Sequence, residues 1–413
     1  MLKLLIGGSP CTYWSIAQSK YRETEPSGLG WELFKNYLIA KDKYNPDYFL
    51  YENNYSMDNK IRDEITKQLG VEPIMINSAL VSAQSRKRLY WTNIPNVKQP
   101  EDKSIMLKDI LESGENLSAD IKSYCLTASY SGACGWNTLE RKQRTMVAES
   151  VCVAQRGRYT ESGNRSKKIE NADTEQYYEA RTDGKTNTLT TVLKDNAVAE
   201  PLKIWSNGKG QGYGVYSTEQ KTPTVTTNYK ASKFATPLSC LKNPNNLKIY
   251  EVSNGNITIN GKTYPIKLAD GFYIIRLLTV LECKRLQTVP DNYIMPCSKS
   301  QNYKMLGNGW TIDVIAHILS HIPEIKIKNV EVLSMYDGMS CGHIALDKLG
   351  CNVVNYFATE IDKYAIKTTF ANYPDTIYLG DAFNVRKDDF KIEPPRVNKQ
   401  EITDVSGNQI TLF

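Results

Sequence analysis

The sequence opens with Met1-Leu-Lys-Leu-Leu-Ile-Gly-Gly-Ser-Pro10-Cys11-Thr12, an apolar run that stops at two glycines before a proline and a cysteine. The apolar density of residues 2–6 is typical of a buried parallel strand, and the glycines permit a tight turn at its carboxyl end. Open α/β sheets place their active sites at that edge. The stretch therefore predicts an α/β fold that presents the thiol of Cys11, although a lone cysteine is more often a buried structural residue.

Length and composition narrow the class of protein. The 413 residues predict two or three domains, and 41% hydrophobic residues without a long apolar window indicate a soluble, cytoplasmic protein. Nine cysteines without CxxC pairs argue against a disulfide framework and a zinc cluster. His317 and His321 are expected to be ordinary helix residues, so we expect no metal. The net charge of +6 permits a polyanionic partner without requiring one.

The first hundred residues alternate between helical and strand patterns. Residues 12–30 are polar and predict a mobile loop. The periodicity then predicts helices over 32–43 and 60–69 and strands over 48–51 and 73–76. The strand over 48–51 leads into Glu52-Asn53-Asn54. A carboxylate at the end of a neighbouring strand can reach the space above Cys11, although a solvated surface acid fits equally well.

Residues 84–93 carry Arg86, Arg88 and Tyr90 at alternate positions, so a strand here would place all three on one face. Two arginines on one face suit contacts with phosphates or bases. A solvated basic strand is the alternative.

Residues 99–275 differ in composition, because Gly, Asn, Thr and Tyr become common and long apolar runs vanish. Two Thr-rich segments, Lys185–Lys194 and Lys221–Lys230, form a near-repeat that predicts a small, mainly β module. Basic residues in its predicted turns, interleaved with aromatic residues, fit a nucleic-acid surface and equally fit solvated loops. They are Arg156, Arg158, Arg165, Lys167, Lys168 and Lys209, with Tyr159, Trp205 and Tyr213.

A globular pattern returns at Arg276. Thr279 and Glu282 have the spacing of a capping box, which predicts a short helix that ends before Pro290. Leu306–Trp310 is expected to open an apolar helix over 311–321.

The strongest cofactor signal lies near the C-terminal end. A strand over 330–336, a glycine turn over 337–342 and a helix over 343–349 precede a second strand that ends at Glu360 and a third that ends at Asp381. This order is typical of a nucleoside-binding βαβ unit with an acid on the ribose hydroxyls. The full GxGxxG pattern is absent, which argues against a dinucleotide.

Taken together, these residues resemble the DNA (cytosine-5) methyltransferases. Gly8-Ser-Pro10-Cys11 is similar to the nucleophile motif of that family, Glu52-Asn53 to its ENV motif and Gln84-x-Arg86-x-Arg88 to its QxRxR motif. Arg276 to Tyr293 is similar to the segment RxLTxxExxRLQxxPDxY, Gly307-Asn308 to the GN motif, and Tyr336 to Gly342, Glu360 and Asp381 to the S-adenosylmethionine motifs. The residues in these motifs resemble most the de novo branch of the family and its phage and bacterial enzymes.

The resemblance implies a Rossmann-like class I S-adenosylmethionine-dependent methyltransferase domain with an inserted, mainly β target-recognition domain. It implies S-adenosylmethionine as cofactor, double-stranded DNA as partner, and a cognate restriction system as a further partner to consider. The catalytic residues that it implies are Cys11, Glu52, Arg86 and Arg88. The cofactor-binding residues that it implies are Pro10, Asn308, Trp310, Tyr336, Asp337, Gly338, Met339, Ser340, Cys341, Gly342, Glu360, Ile361 and Asp381.

Two departures from the family pattern stand out. The third position of the ENV motif is Asn54, and the order is circularly permuted, because the cofactor motifs normally precede the Pro-Cys strand. We expect the catalytic half over 1–98, the target-recognition domain over 99–275, a connection over 276–325, the cofactor half over 326–390 and a tail over 391–413. Within that tail, residues 401–413 predict a hairpin. The permuted order further predicts that Met1 and Asp381 belong to neighbouring strands.

The family chemistry implies that Cys11 adds to C6 of a flipped-out cytosine while Glu52 contacts N3 and the amino group. The loop over 12–30 would close on the base. A catalytically silent DNA-binding homologue and an RNA methyltransferase are the competing hypotheses.

Overall fold

The structure, a computed structural model, describes residues 1–15, 22–118, 120–150 and 249–393, together with the backbone of several short strands outside those ranges. Both Thr-rich segments, and the basic and aromatic residues predicted around them from Arg165 to Tyr213, lie outside the described residues.

Eight α-helices and nineteen strands, besides short 3-10 helices, are present in the described part of the chain. The helices are α1 (Gly28–Tyr44), α2 (Asn59–Leu69), α3 (Gly135–Leu139), α4 (Val280–Leu286), α5 (Lys299–Asn308), α6 (Ile312–Leu319), α7 (Cys341–Leu349) and α8 (Lys363–Phe370). The strands are β1 (Leu2–Gly7), β2 (Tyr48–Asn54), β3 (Ile74–Asn77), β4 (Lys87–Thr92), β5 (Glu115–Asn116), β6 (Met146–Ser150), β7 (Cys152–Tyr159), β8 (Thr174–Ala180), β9 (Ala197–Val198), β10 (Leu241–Lys242), β11 (Ile249–Ser253), β12 (Asn256–Ile259), β13 (Lys262–Pro265), β14 (Gly271–Leu277), β15 (Asn329–Met335), β16 (Asn352–Thr359), β17 (Ile377–Gly380), β18 (Ile402–Thr403) and β19 (Gln409–Ile410).

The chain divides into two compact units. The first contains Met1–Val81, Lys87–Asp102 and Gln287–Phe413, and the second contains Ser82–Arg86 and Lys103–Leu286.

A seven-stranded sheet with the order β17-β16-β15-β1-β2-β4-β3 forms the centre of the first unit. Strand β4 runs antiparallel to both of its neighbours, and every other pairing is parallel. Strand β1 lies between β15 and β2, with Leu2 opposite Val330 and Gly7 opposite Met335. The N-terminal strand and the strand before the glycine turn are therefore direct neighbours in one Rossmann-like sheet.

Helices cover both faces of this sheet. On one face, α1 and α2 bury Phe34, Tyr37 and Ile61 against strand residues that include Leu5 and Leu333. On the other face, α7 approaches β1 so closely that a Cβ at Gly342 would lie 2.1 Å from Cδ1 of Ile6. Leu5 and Ile6 thus point to opposite faces of the sheet and pack against different helices, as successive residues of a buried parallel strand do.

The second unit is mainly β. Its two sheets have the orders β13-β12-β11-β14-β6-β5 and β10-β8-β7-β9. The predicted capping box is confirmed, because the Thr279 N–H donates to Glu282 at 2.7 Å and the Glu282 N–H donates to the Thr279 hydroxyl at 3.1 Å. Arg156 and Arg158, predicted in turns, lie within strand β7.

Several local predictions were wrong. Leu306–Asn308 form the last turn of α5, so they end one helix and do not open the next, because the chain turns only at Gly309 and Trp310. Helix α1 begins at Gly28, inside the predicted loop. Residues 16–21 of that loop lie outside the described residues. The predicted tail hairpin is confirmed by the antiparallel pairing of β18 with β19.

The N-terminal edge of the sheet brings the start of β1 close to the last described residues before the tail. Lys3, Lys43 and Tyr44 line one shallow cavity together with residues 390–393. Lys43 also donates to the Lys387 carbonyl at 2.7 Å. Residue 393 and the start of β1 therefore lie on the same side of the molecule.

Candidate active site

The turn after β1 is anchored to the end of β2 by a buried hydrogen-bond network. The Ser9 hydroxyl lies 2.6 Å from the Tyr51 hydroxyl, and the Asn53 amide donates to the Ser9 carbonyl at 3.1 Å and to the Tyr51 hydroxyl at 3.2 Å. Cys11 begins a short 3-10 helix, Cys11–Tyr13, directly after Pro10. A fixed turn of this kind limits the positions that residue 11 can occupy.

Glu52 lies at the same sheet edge and has two donors. Its Oε1 pairs with Nε of Arg88 at 2.9 Å, and its Oε2 accepts from Nε1 of Trp310 at 3.0 Å. The residue is 8% exposed, so the carboxylate is nearly buried yet keeps contact with solvent. The register explains the meeting with Arg88, because β2 and β4 pair antiparallel with Asn54 opposite Arg88.

Gly8 brings the β1 turn against this carboxylate. A Cβ at Gly8 would lie 2.8 Å from the Glu52 carbonyl oxygen and 3.0 Å from Oε2. A side chain at this position would force the Glu52 carboxylate or the turn to move.

Arg86 does not share the strand of Arg88, contrary to the prediction of one basic face, because β4 begins only at Lys87. Arg86 is buried, and its Nη1 donates to the Leu126 carbonyl at 2.8 Å. Gln84 is similarly bound within the second unit, to Leu286 and Leu126. Backbone groups of Leu126 and Leu286 are thus among the partners of these two side chains.

The glycine turn after β15 has an unusual backbone. Tyr336, Gly338 and Ser340 all have positive φ values, of 61°, 61° and 56°. Left-handed conformations are strained for residues other than glycine and cluster at ligand-binding turns. A Cβ at Gly338 would meet no atom within 4 Å, so the backbone here faces open space.

Asp337 lies at the centre of this turn. Burial raises the pKa of its carboxyl to about 6, against hydrogen bonds from Ser340 and Tyr356 that favour the ionised form. The hydroxyl of Tyr356 donates to Oδ1 of Asp337 at 2.8 Å. The two bonds fix the carboxylate beneath the turn, because Ser340 lies in the turn and Tyr356 in β16.

Glu360 follows β16 and binds the same turn. Its Oε2 accepts from the Gly338 N–H at 2.8 Å, and its Oε1 accepts from the N–H groups of Ile361 and Asp362. Asp381 follows β17 and caps a 3-10 helix through the Phe383 N–H at 2.9 Å. Ile361 and Asp381 are exposed, whereas Met339, Cys341 and Gly342 are buried.

The GN segment lies against the start of α7, because a Cβ at Gly309 would be 3.1 Å from Sγ of Cys341. Asn308 is exposed. Trp310 comes next in the chain, and its observed hydrogen bond reaches Glu52.

Several contacts at the site were not predicted from the sequence. Ser9, Tyr51 and Asn53 form the network beneath the β1 turn, and the Tyr293 hydroxyl donates to the Met339 carbonyl at 2.7 Å. Only the polar residues on otherwise apolar strand ends hinted at such a network.

No group of three His, Cys, Asp or Glu residues that could hold a metal ion occurs in the described ranges. His317 and His321 bond instead to the carbonyls of Lys98 and His317. Among the described residues, no helix has the length and apolar character needed to cross a membrane.

Comparison with known proteins decides the family. The model of the C-5 cytosine-specific DNA methylase family matches residues 2–324. The chain belongs to this family. The expected cytosine-5 methyltransferase resemblance and the Rossmann-like class I fold are confirmed. This family methylates C5 of cytosine in DNA, a chemistry that depends on S-adenosylmethionine.

Relatives of this DNA methylase include phage and plant enzymes. The orphan methyltransferase M.SPRI of Bacillus phage SPR is 24% identical, and the match covers 77% of this chain and 82% of the phage enzyme. The DNA (cytosine-5)-methyltransferase DRM2 of Oryza sativa subsp. japonica is 27% identical over 21% of this chain and 15% of the rice enzyme. A solved methyltransferase of Entamoeba histolytica has 13% identity and a TM-score of 0.35, over 77% of this chain and 76% of that chain.

Proposed function

We propose that this DNA methylase transfers a methyl group to C5 of a flipped-out cytosine in duplex DNA through a covalent bond between Cys11 and C6. The observation that carries the proposal is the shared sheet edge. The turn that ends in Cys11 is bonded through Ser9 to Tyr51 and Asn53, and the intervening residue on β2 is Glu52.

The roles follow from the chemistry of cytosine. C5 is a poor nucleophile, so the Cys11 thiolate adds to C6 and the electron pair of the C5–C6 double bond becomes available at C5. N3 of cytosine carries no hydrogen, so it takes up a proton, passed from solvent through Glu52, as the thiolate adds. The Glu52 carboxylate then accepts hydrogen bonds from the amino group and from N3–H of the adduct. S-adenosylmethionine, when bound, supplies the methyl group. Loss of the C5 proton to water, departure of the Cys11 thiolate and release of the N3 proton through Glu52 then restore the aromatic ring.

A cytosine inside a duplex is out of reach of Cys11, so the base must rotate out of the helix at a cost of a few kcal/mol. Arg88 holds Glu52 at 2.9 Å and neutralises its charge before the base arrives. The part of the predicted loop that precedes α1, residues 12–27, is assigned to closing over the base.

The glycine turn fits S-adenosylmethionine. Gly338 leaves open space beside its backbone, and the Glu360 carboxylate lies 2.8 Å from the Gly338 N–H. We assign Glu360 to the ribose hydroxyls and Asp381 to the adenine amino group, because each follows a parallel strand at the same sheet edge. Pro10, Asn308 and Ile361 complete the assigned surface.

Residues 99–275 are assigned to selection of the DNA sequence, because they lie largely in the mainly β second unit. We further propose that the order of the motifs along the chain is a circular permutation of the family pattern. Its support is the position of β1 between β15 and β2, which joins both ends of the sequence in one sheet.

The covalent step is tested with duplex DNA that carries 5-fluorocytosine at the methylated position. Fluorine cannot leave as the C5 proton does, so the wild-type protein should remain bound to the DNA after denaturation. Cys11→Ala should abolish both methyl transfer and trapping. Trapping that persists in Cys11→Ala would contradict the assignment of Cys11.

Matched DNA and tRNA substrates in the same assay separate the competing functions. Methyl incorporation into DNA alone supports the proposal. Incorporation into tRNA alone would indicate an RNA methyltransferase, and binding without incorporation would indicate a silent homologue.

A further inference from the structure

Trp310 lies on the segment between α5 and α6, yet its ring nitrogen is directed at the carboxylate assigned to the base. Nε1 of Trp310 donates to Oε2 of Glu52 at 3.0 Å, across 258 positions of sequence. The resemblance to the family assigned Trp310 to the cofactor. The observed partner assigns it to Glu52.

The backbone on both sides of Trp310 is fixed by one buried amide. Gln287 is 1% exposed, and its Nε2 donates to the carbonyls of Leu306 and Gly309 at 2.6 and 3.4 Å. The hydroxyl of Thr311 donates to Oε1 of Gln287 at 3.0 Å and accepts from Ser78 at 2.9 Å. Trp310 is thus placed by a buried network, so its N–H is held in position for Glu52.

The number of donors around Glu52 matches what the base needs. An ionised carboxylate has about four acceptor positions on its two oxygens. Arg88 uses Oε1 and Trp310 uses Oε2, one position on each. With the donors that the described residues supply, one position on each oxygen is left, and a cytosine adduct protonated at N3 presents two donors, the amino group and N3–H.

We propose that Trp310 is a positioning residue for Glu52. Its hydrogen bond orients the Glu52 carboxylate so that one acceptor position on each oxygen is directed at the base. The inference rests on the proposed methyl transfer. In this role Trp310 acts through Glu52, so its effect should appear in the chemical step and not in cofactor affinity.

The test compares Trp310→Phe with Trp310→His and with Trp91→Phe. The Phe variant keeps an aromatic ring and loses the donor, whereas the His variant keeps a ring N–H on a smaller side chain. Trp91→Phe is the matched control, because it removes an indole bond to the Thr66 hydroxyl in the helix-covered core. Methyl transfer to duplex DNA gives kcat, and calorimetry gives the affinity for S-adenosylmethionine.

We expect Trp310→Phe to lower kcat roughly 10- to 100-fold, the loss of one hydrogen bond to a charged group, with S-adenosylmethionine affinity changed less than about twofold. Trp310→His should retain more activity than Trp310→Phe, and Trp91→Phe should stay within about twofold of wild type. In a Glu52→Gln background, measured in single turnover, Trp310→Phe should cause little further loss.

Three results would overturn the inference while the wild type remains active. The first is an unchanged kcat in Trp310→Phe. The second is activity of Trp310→His that is equal to or lower than that of Trp310→Phe. The third is a loss of rate on adding Trp310→Phe to Glu52→Gln that is as large as the loss in the wild-type background. Weakened cofactor binding with unchanged kcat at saturation would return Trp310 to the cofactor site. A wild type that does not methylate DNA would overturn this inference together with the proposed function.

Discussion

Asp337 is an acid held in the protein interior at the turn assigned to the cofactor. Its folded-state pKa of about 6 exceeds the ordinary value of 3.8, because burial disfavours the charged form. The folded protein therefore binds this proton at a higher pH than the unfolded chain does. Protonation of Asp337 stabilises the fold as the pH falls through about 6, and this contribution is lost as the pH rises through the same value.

This linkage predicts a difference between wild type and Asp337→Asn. The free energy of unfolding of wild type, relative to the variant, should rise by about 2 kcal/mol between about pH 7 and about pH 4.5. Urea denaturation at several pH values measures it. A difference that stays constant with pH would show that Asp337 titrates normally.

Glu360 gives a second test at the residue scale. Glu360→Gln should weaken S-adenosylmethionine binding by about tenfold, because the amide loses the charge and has only one acceptor oxygen. Calorimetry measures the affinity. Glu324→Gln is the matched control, since Glu324 forms an exposed ion pair with Lys328. Equal affinities in all three proteins would remove Glu360 from the cofactor site.

The places of Cys11, Glu52 and Glu360 at strand ends could be predicted, because each follows or ends an apolar strand and the carboxyl ends of parallel strands meet at one side of the sheet. The partner of Glu52 could not be predicted in the same way. Trp310 contacts it across 258 positions of sequence, and no local pattern encodes a contact across that separation. Arg86 was misplaced because period-two spacing does not reveal where a strand begins.

At the scale of elements, the packing of α7 on β1 depends on the missing side chain at Gly342. An added Cβ would lie 2.1 Å from Cδ1 of Ile6 and 3.0 Å from the Tyr356 hydroxyl. We expect Gly342→Ala to lower the free energy of unfolding by about 1–3 kcal/mol, as overpacking does in close-packed cores. Chemical denaturation measures the loss.

A second substitution identifies the clash. Ile6→Val removes Cδ1, and the remaining Cγ1 would lie 3.5 Å from the new Cβ, an ordinary contact. Combined with Ile6→Val, Gly342→Ala should cost less than it does in the wild-type background. If the losses in free energy of unfolding were strictly additive, the contact between Cδ1 of Ile6 and the new Cβ would not be the cause of the destabilisation.

At the scale of the molecule, the strand order of the seven-stranded sheet differs from the predicted order. The sequence predicts neighbouring strands for Met1 and Asp381, but β17 lies at the sheet edge and β1 lies beside β15. Strand pairing over long separations cannot be deduced from periodicity, which reports only the face and type of each element. The presence of both halves in one sheet was predicted correctly.

The proposed permutation gives a further test. A chain reopened after Lys326 and joined from its tail to Met1 should fold and methylate the same DNA site. Residues 326–329 are exposed, and Lys3 shares a cavity with residues 390–393, so the last described residues before the tail lie close to the start of β1. Loss of S-adenosylmethionine binding in the reopened chain, with wild type active in parallel, would show that this connection cannot be moved.

The central place of β1 also has a consequence for synthesis on the ribosome. Its partner β2 is made within about fifty residues, but its other partner β15 follows roughly 320 residues later, on the order of 15–60 s at roughly 5–20 residues per second. During that interval one side of an almost wholly apolar strand has unpaired backbone groups. The nascent chain therefore has an unpaired, aggregation-prone strand edge through most of its translation. The yield of native enzyme depends on what covers that edge until β15 emerges.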